Sequence, residues 1–463
     1  MFSSTTTISF HQPQKQWQKT DWLNMIITVM LAMIIGIGIG FGAIFMEQIA
    51  QWVSNAFFED RLFGLLEGMG SYYLVIVPAI GGLVVGAILI HFAPETKGRM
   101  VPELLKSVAI RDEAIPAKSL AIKSLVSALC AGTGGSVGLG GPTGLLGSAI
   151  GLAIGQFFSL PKDKIRLLFT CGVGAGIAAV FHAPIMGSIF AIEVILGRFS
   201  AGYFSAILIS AVTADTIAQN FKGEFVQVQH YALVSSWELL LYATLGVVIA
   251  IGAMIFIKAM SGMKTFWDNL PVSEYLKPML GGLLLGVVAL IAFLWTDEFP
   301  GFIGLGSSSL QEALNGSLAL HVVLTLFLLK IFATSLTLGS GNTGGTFTPS
   351  FFMGAMLGGL FGHIVNLLFP SIMVPIAAYA MAGMAAFVVG SMNAPITAFI
   401  IGFEMIGDYQ IIWPIMLTVL VTILVTKSMK PQCRKNICEL WVTTKIVDFP
   451  FQLMILFWRC KAT

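Results

Sequence analysis

The stretch from Ala131 to Gly155, AGTGGSVGLGGPTGLLGSAIGLAIG, joins a glycine run to a proline and then to an apolar helical pattern. The chemistry it offers is anion binding. Proline suits the first turn of a helix because its missing N–H is not needed there, so a helix is expected to start near Pro142. The glycines before it let backbone N–H groups approach a ligand without side-chain hindrance. Unpaired N–H groups at the positive end of a helix dipole hold negative charge. The same glycines would also serve close helix packing in lipid, and the stretch by itself leaves both readings open. A related block follows later as Gly344-Gly345-Thr346-Phe347-Thr348-Pro349. A second pair of blocks is more alike still. His182-Ala183-Pro184-Ile185 with Glu193 is matched by Asn393-Ala394-Pro395-Ile396 with Glu404, at the same spacing from proline to glutamate. Two block pairs in one order and at nearly one offset indicate an internal duplication.

The elements that must position these residues are membrane helices. Of 463 residues, 56% are hydrophobic and only 10% charged, which excludes an ordinary soluble domain. A bilayer core of about 30 Å takes roughly 20 apolar residues to cross as a helix. Lipid demands internal pairing of backbone groups, and the segments are too long and too evenly apolar for barrel strands. Helices are expected at 22–52, 72–93, 117–130, 142–158, 165–180, 184–197, 202–220, 235–261, 276–296, 319–338, 349–368, 373–390, 394–407 and 411–428. Those at 184–197 and 394–407 are too short to span and must stop part-way, which is tolerated where backbone is buried in protein or lines a cavity.

The organisation follows: an N-terminal segment 1–21, a first membrane repeat 22–220, a linker 221–234, a second repeat 235–428 and a tail 429–463 at the membrane surface. The first apolar run, Leu23 to Ile44, is too long for a signal-peptide core. Lys15 and Lys19 before it, and Lys427, Lys430, Arg434 and Lys435 after the last span, place both ends in the cytoplasm by charge bias. The loop 94–118, with Lys97, Arg99, Lys106, Arg111 and Lys118, fits the inside, and the loop 297–312, with Asp297, Glu298 and Glu312, the outside. Formal net charge +2 gives no case for nucleic acid, and the five scattered cysteines form no disulfide framework or metal set.

These blocks resemble the CLC family of chloride channels and proton-coupled chloride exchangers. Gly98-Arg99-Met100-Val101-Pro102-Glu103 stands where that family has GSGIPE, and Gly138-Leu139-Gly140-Gly141-Pro142-Thr143 where it has GREGPT; residues 344–349 resemble its GGIFAP, and the two Ala-Pro segments its paired helices. The resemblance implies an all-α CLC-type fold of two inverted-topology repeats with tilted and partial-span helices. It further implies a homodimer with one pore per subunit and a dehydrated anion held by converging helix N-termini. The positions it assigns to the pore are Arg99, Gly138, Leu139, Gly140, Gly141, Gly345, Thr346, Phe347 and Cys433.

The departures from the family pattern bear on mechanism. The glutamate that competes with anions and carries protons in exchangers is here Gly140, and the neighbouring arginine is Leu139. A second exchanger glutamate, passing protons to the inside, aligns with Val194; Glu193 and Glu404 are expected to be structural, as caps or buried hydrogen-bond partners. The serine of GSGIPE is Arg99, and the family's pore tyrosine aligns with Cys433. A hydroxyl donates one hydrogen bond to a passing anion, whereas a guanidinium brings a full charge and five donors, unless it snorkels to the headgroups. His182 reads as a helix-start residue rather than a proton carrier, and Lys330 as an intramembrane charge open to pairing with a carbonyl or a carboxylate, with no partner identifiable. Cys433, Cys438 and Cys460 stand near the membrane surface.

The expected function is a passive, proton-uncoupled anion channel or uniporter with chloride as substrate, in a bacterial inner membrane and without a cofactor. The alternatives are a proton-coupled exchanger with a non-standard proton path using Glu193, His182 or water, and a non-conducting scaffold or regulator. No nucleophile, acid–base pair or metal cluster suggests an enzyme. Gly140→Glu is expected to restore pH-sensitive closure.

Overall fold

A computed structural model of the chain describes residues 19–59, 67–111, 115–197, 201–221, 237–296, 300–370, 375–405 and 409–429. The expectations for Cys433, Cys438, Cys460, Asp297, Glu298, most of the 1–21 segment and of the 221–234 linker, and the tail beyond Met429 fall outside these residues. Within them the protein is an all-α polytopic membrane protein.

The first eight helices are α1 (Lys19–Ser54), α2 (Tyr73–Phe92), α3 (Val101–Arg111), α4 (Ala117–Gly132), α5 (Gly140–Phe157), α6 (Lys162–Phe181), α7 (Pro184–Phe190), which passes into a wider turn at Ala191–Leu196, and α8 (Ala201–Gln219). The remainder are α9 (Glu238–Asn269), α10 (Leu276–Thr296), α11 (Ser307–Asn315), α12 (Leu320–Gly339), α13 (Phe347–Leu368), α14 (Ile376–Met392), α15 (Pro395–Glu404) and α16 (Tyr409–Met429). Eight helical stretches are long and apolar enough to cross a bilayer, whereas α7 and α15 stop short.

Several boundaries differ from expectation. Helix α9 runs to Asn269 rather than ending at 261. The stretch 94–118, read as a loop, contains α3, and the stretch 297–312, also read as a loop, runs into α11. Their eleven and nine residues carry too many polar side chains to register as apolar spans, and their amphipathic pattern is too brief to stand out. Helix α5 starts at Gly140 rather than at Pro142, because glycine continues a first turn as readily as proline opens one.

Small residues set the closest packing. A Cβ on Gly147 of α5 would stand 2.0 Å from the carbonyl oxygen of Gly172 on α6, so the two backbones touch. Gly354 of α13 meets Gly383 of α14 in the same way, at 2.4 Å. In lipid, where apolar burial does not drive helices together, such backbone contact supplies the dispersion that does. Helices α7 and α15 then cap each other. Glu193, just past α7, accepts the N–H groups of Ile396 (3.0 Å) and Thr397 (2.8 Å) and the Thr397 hydroxyl (2.7 Å). Glu404, at the end of α15, accepts the N–H groups of Ile185 (2.8 Å) and Met186 (2.6 Å). Each carboxylate thus satisfies the orphan donors that open the other short helix.

A candidate anion pathway at two opposed helix tips

The segment before α5 and the segment before α13 meet in an isolated antiparallel bridge between Gly138 and Gly345. Gly138 N–H donates to Gly345 O at 2.9 Å and Gly345 N–H to Gly138 O at 2.8 Å. These two residues, expected as anion ligands, therefore spend their donors on each other and clamp the tips together. The amides left to face an ion belong to the first turns of α5 and α13, where a helix has no internal acceptors to offer. Leu139 and Thr346 are the capping residues, both in right-handed conformation (φ −92° and −94°) and neither with a side-chain cap. A Cβ at Gly141 would make only ordinary contacts, 3.4 Å from Gly345 Cα and 3.5 Å from Val101 Cγ1, and the second of these brings the start of α3 to the tips.

The space beside Gly140 belongs to aromatic rings. A Cβ there would fall 2.4 Å from Phe181 Cε2. Phe181 lies 5.1 Å from Phe347 and 5.2 Å from Phe351 between ring centroids, and Phe190 lies 5.2 Å from Phe347. All four are buried. Sequence reasoning singled out only Phe347 of this cluster: α6, α7 and α13 each contribute, and no periodicity in a chain with 35 phenylalanines marks the ones that converge. Val194 is buried and apolar, and Glu193 has both oxygens engaged in capping α15.

Two cavities approach the bridge and share no lining residue. The larger, about 690 Å³, is walled by Leu139, Thr348 and His182 together with Glu47, Gln51 and Gln311. The smaller is a cleft of about 20 Å³, room for about one water-sized particle, lined by Arg99, Val101, Lys123, Lys264, Thr343 and Gly344. Arg99 is half-buried at its edge. Its carbonyl accepts the Lys123 ammonium at 2.9 Å, and that ammonium also holds Thr96 O at 2.9 Å. Lys123, a lysine within an apolar helix that sequence reasoning passed over, thus staples the turn that presents Arg99.

One further residue takes another place than expected, and Lys330 finds a partner of an expected kind. His182 does not open α7 but closes α6, in the left-handed conformation (φ 52°), as Asn393 (φ 57°) closes α14. Its Nδ1 lies 2.9 Å from Asp215 Oδ1, whose other oxygen accepts Gln219 Nε2 at 2.9 Å. Lys330 does have partners, and they are carbonyls: Phe302 O at 3.0 Å and Gly304 O at 3.3 Å, with the Phe352 ring 4.8 Å away. Backbone carbonyl acceptors leave no mark in a sequence.

Comparisons with known proteins bear on the family and the fold. The family described as voltage gated chloride channel matches residues 81–427. A putative chloride channel protein ClcB-like from Ralstonia nicotianae is 28% identical over 378 residues, spanning 80% of this chain and 86% of the relative. The H(+)/Cl(-) exchange transporter ClcA of Vibrio parahaemolyticus is 28% identical over 421 residues, 87% of each chain. Among solved structures, a slow cyanobacterial Cl-/H+ antiporter superposes with a TM-score of 0.77 at 23% identity, covering 87% of this chain and 94% of that one. A CLC-type fluoride/proton antiporter superposes with a TM-score of 0.73 at 22% identity, covering 89% and 98%.

Proposed function

Because this chain belongs to the voltage-gated chloride channel, or CLC, family of integral membrane anion transporters, we propose that it is a passive, proton-uncoupled pathway for chloride. The observation that carries the reading is the contact of the Phe181 ring with Gly140. Where an exchanger holds a carboxylate that contests the site and moves protons, this chain holds a glycine backed by an apolar ring. Glycine cannot carry a proton, Val194 cannot relay one, and Glu193 is committed to the start of α15. An ion between the tips meets partial charges of amides, which bind without trapping it.

The ion enters by one cavity and leaves by the other, past Phe347. The cleft with Arg99, Lys123 and Lys264 faces the cytoplasm, in keeping with the bias of basic residues, and its charges concentrate anions at that mouth. The functional form is a homodimer with one pathway per subunit, built from repeats 22–220 and 235–428, in a bacterial inner membrane.

The test is simultaneous recording of chloride and proton movement in vesicles containing the purified protein. Chloride efflux without proton uptake is the expected result, and uptake in fixed ratio to chloride would overturn it. The second reading, coupled exchange, draws on the His182–Asp215 pair at the wall of the larger cavity. It requires proton uptake that His182→Gln abolishes. Absence of any flux from a normally assembled protein would favour a scaffold instead.

A further inference from the structure

The first turn of α13 differs from the family block GGIFAP at two places, and both changes introduce a hydroxyl: Thr346 for isoleucine and Thr348 for alanine. By the family resemblance, hydroxyls are lost at Arg99 and at Cys433, the latter outside the described residues. Thr348 lies on the wall of the larger cavity. Thr346 is only 4% exposed, and its Oγ1 is buried without a hydrogen-bond partner.

Among the described residues the hydroxyls of Ser210 and Ser335 are also buried without a partner, but those that neighbour Thr346 at the tips are paired. Ser350, one turn on, gives its hydroxyl to Thr346 O at 2.9 Å and meets Ser391 at 3.0 Å. Thr343 pairs with Ser127 at 3.0 Å, and Ser136 with Phe302 O at 2.9 Å and Thr334 at 3.1 Å. As the capping residue of α13, Thr346 has the ordinary threonine option of accepting an N–H of its own first turn, and it makes no such bond. An unpaired buried hydroxyl costs free energy that a folded chain normally avoids, and at the first turn of α13 an arriving ion would satisfy it.

Resting on the uncoupled anion pathway above, we propose that the Thr346 hydroxyl is a side-chain ligand of the permeating anion. It donates its O–H to a dehydrated halide at the N-terminal turn of α13 in place of the hydroxyls absent at positions 99 and 433. Thr348, two residues on and past Phe347, offers the next hydroxyl on the side of the larger cavity, so the ion is handed between two O–H donors across one ring. A hydroxyl donor favours compact halides that accept a short, strong hydrogen bond over diffuse anions such as thiocyanate. The site therefore selects chloride by donation as well as by the amide field.

The experiment is calorimetric titration of the purified full-length protein with chloride, alongside flux of chloride, bromide and thiocyanate in vesicles. Thr346→Val keeps the side-chain shape and removes the O–H. It is expected to weaken chloride binding about tenfold, the loss of one hydrogen bond to a charged acceptor, and to shift selectivity toward thiocyanate. Thr346→Ser is expected to stay close to wild type. Wild-type affinity and selectivity in Thr346→Val would overturn the assignment. A second measurement needs no variant: in bromide-soaked crystals of the wild type, an anomalous peak within hydrogen-bond reach of Thr346 Oγ1 supports it, and bromide held at the tips beyond that reach, or not at all, overturns it. Wild-type vesicles that move no chloride, or move it with protons, would sink the reading of function instead, and the titration would still report on Thr346.

Discussion

At the scale of single residues, position 140 decides most. Motif comparison alone makes Gly140→Glu a simple restoration of a proton-sensitive gate, but the structure attaches a steric condition, because the new Cβ lands on Phe181. Overpacking of this kind costs typically about 1–3 kcal/mol. Gly140→Glu is therefore expected to lower the melting temperature of the solubilised protein without giving clean pH-sensitive closure. Gly140→Glu with Phe181→Ala recovers both stability and a flux that rises as the carboxyl is protonated. A melt and a flux–pH profile on both variants check this; a pH-sensitive, fully stable single variant would show that the ring yields freely. The capping carboxylates offer a second check. In Glu193→Gln an NH₂ replaces one of the two acceptors facing Ile396 and Thr397, and the loss is expected to cost about 1–3 kcal/mol. Chloride flux per folded molecule should hardly change, since the carboxylate faces a helix start and not the ion.

At the scale of elements, the backbone contacts between paired helices are the least forgiving. Gly147→Val in α5 drives a side chain into the Gly172 carbonyl, and the expected result is loss of monodisperse protein on size exclusion, whereas Gly202→Val, which meets open space, is expected to be neutral. A milder link ties the turn after α2 to the start of α10. Glu274 lies 2.8 Å from the Lys277 ammonium and 3.3 Å from that of Lys97, and these partners, Lys277 first, hold its carboxyl below the ordinary carboxylate range. A carboxyl depressed in the folded state stabilises it above the unfolded pKa, and that contribution is lost as the pH falls through the folded value. Thermal stability should thus decline on acidification below about pH 4.3 by a small amount that Glu274→Gln no longer shows; the group is largely solvated, so the effect is modest. Differential scanning across acid pH measures it. These elements were unevenly legible. The long apolar runs and both part-way helices could be read from length and hydropathy, and the doubled Ala-Pro-to-Glu blocks foretold a paired arrangement. Helices α3 and α11 were hidden because nine or eleven mixed residues carry too short a pattern. The capping role of Glu193 and Glu404 was legible, but not that each caps the other's partner helix, because the bonds join residues about two hundred positions apart.

At the scale of the whole molecule, the candidate site is one place assembled from four distant stretches: the tips of α3, α5 and α13 and the phenylalanine closing α6. Sequence comparison found the tips, since glycine and proline are local requirements. It missed the rings, the Lys123 staple and the carbonyl partners of Lys330, since these depend on which helices become neighbours. The sharpest whole-molecule expectation concerns energetics. With glycine at 140 and valine at 194, the reversal potential of reconstituted protein should follow the chloride gradient alone and remain fixed when a proton gradient is imposed. A shift with the proton gradient, recorded in planar bilayers or by voltage-sensitive dye, would contradict it. The small bridge from Gly138 to Gly345 bears on how such a pathway opens. Two reciprocal amide bonds, 2.9 and 2.8 Å long, rivet one tip to the other at the point where rocking halves would have to part. The tips therefore share a fixed backbone frame beside the rings of Phe181, Phe347 and Phe351, and on the pathway proposed above an ion would pass by side chains swinging aside while the backbone stands still.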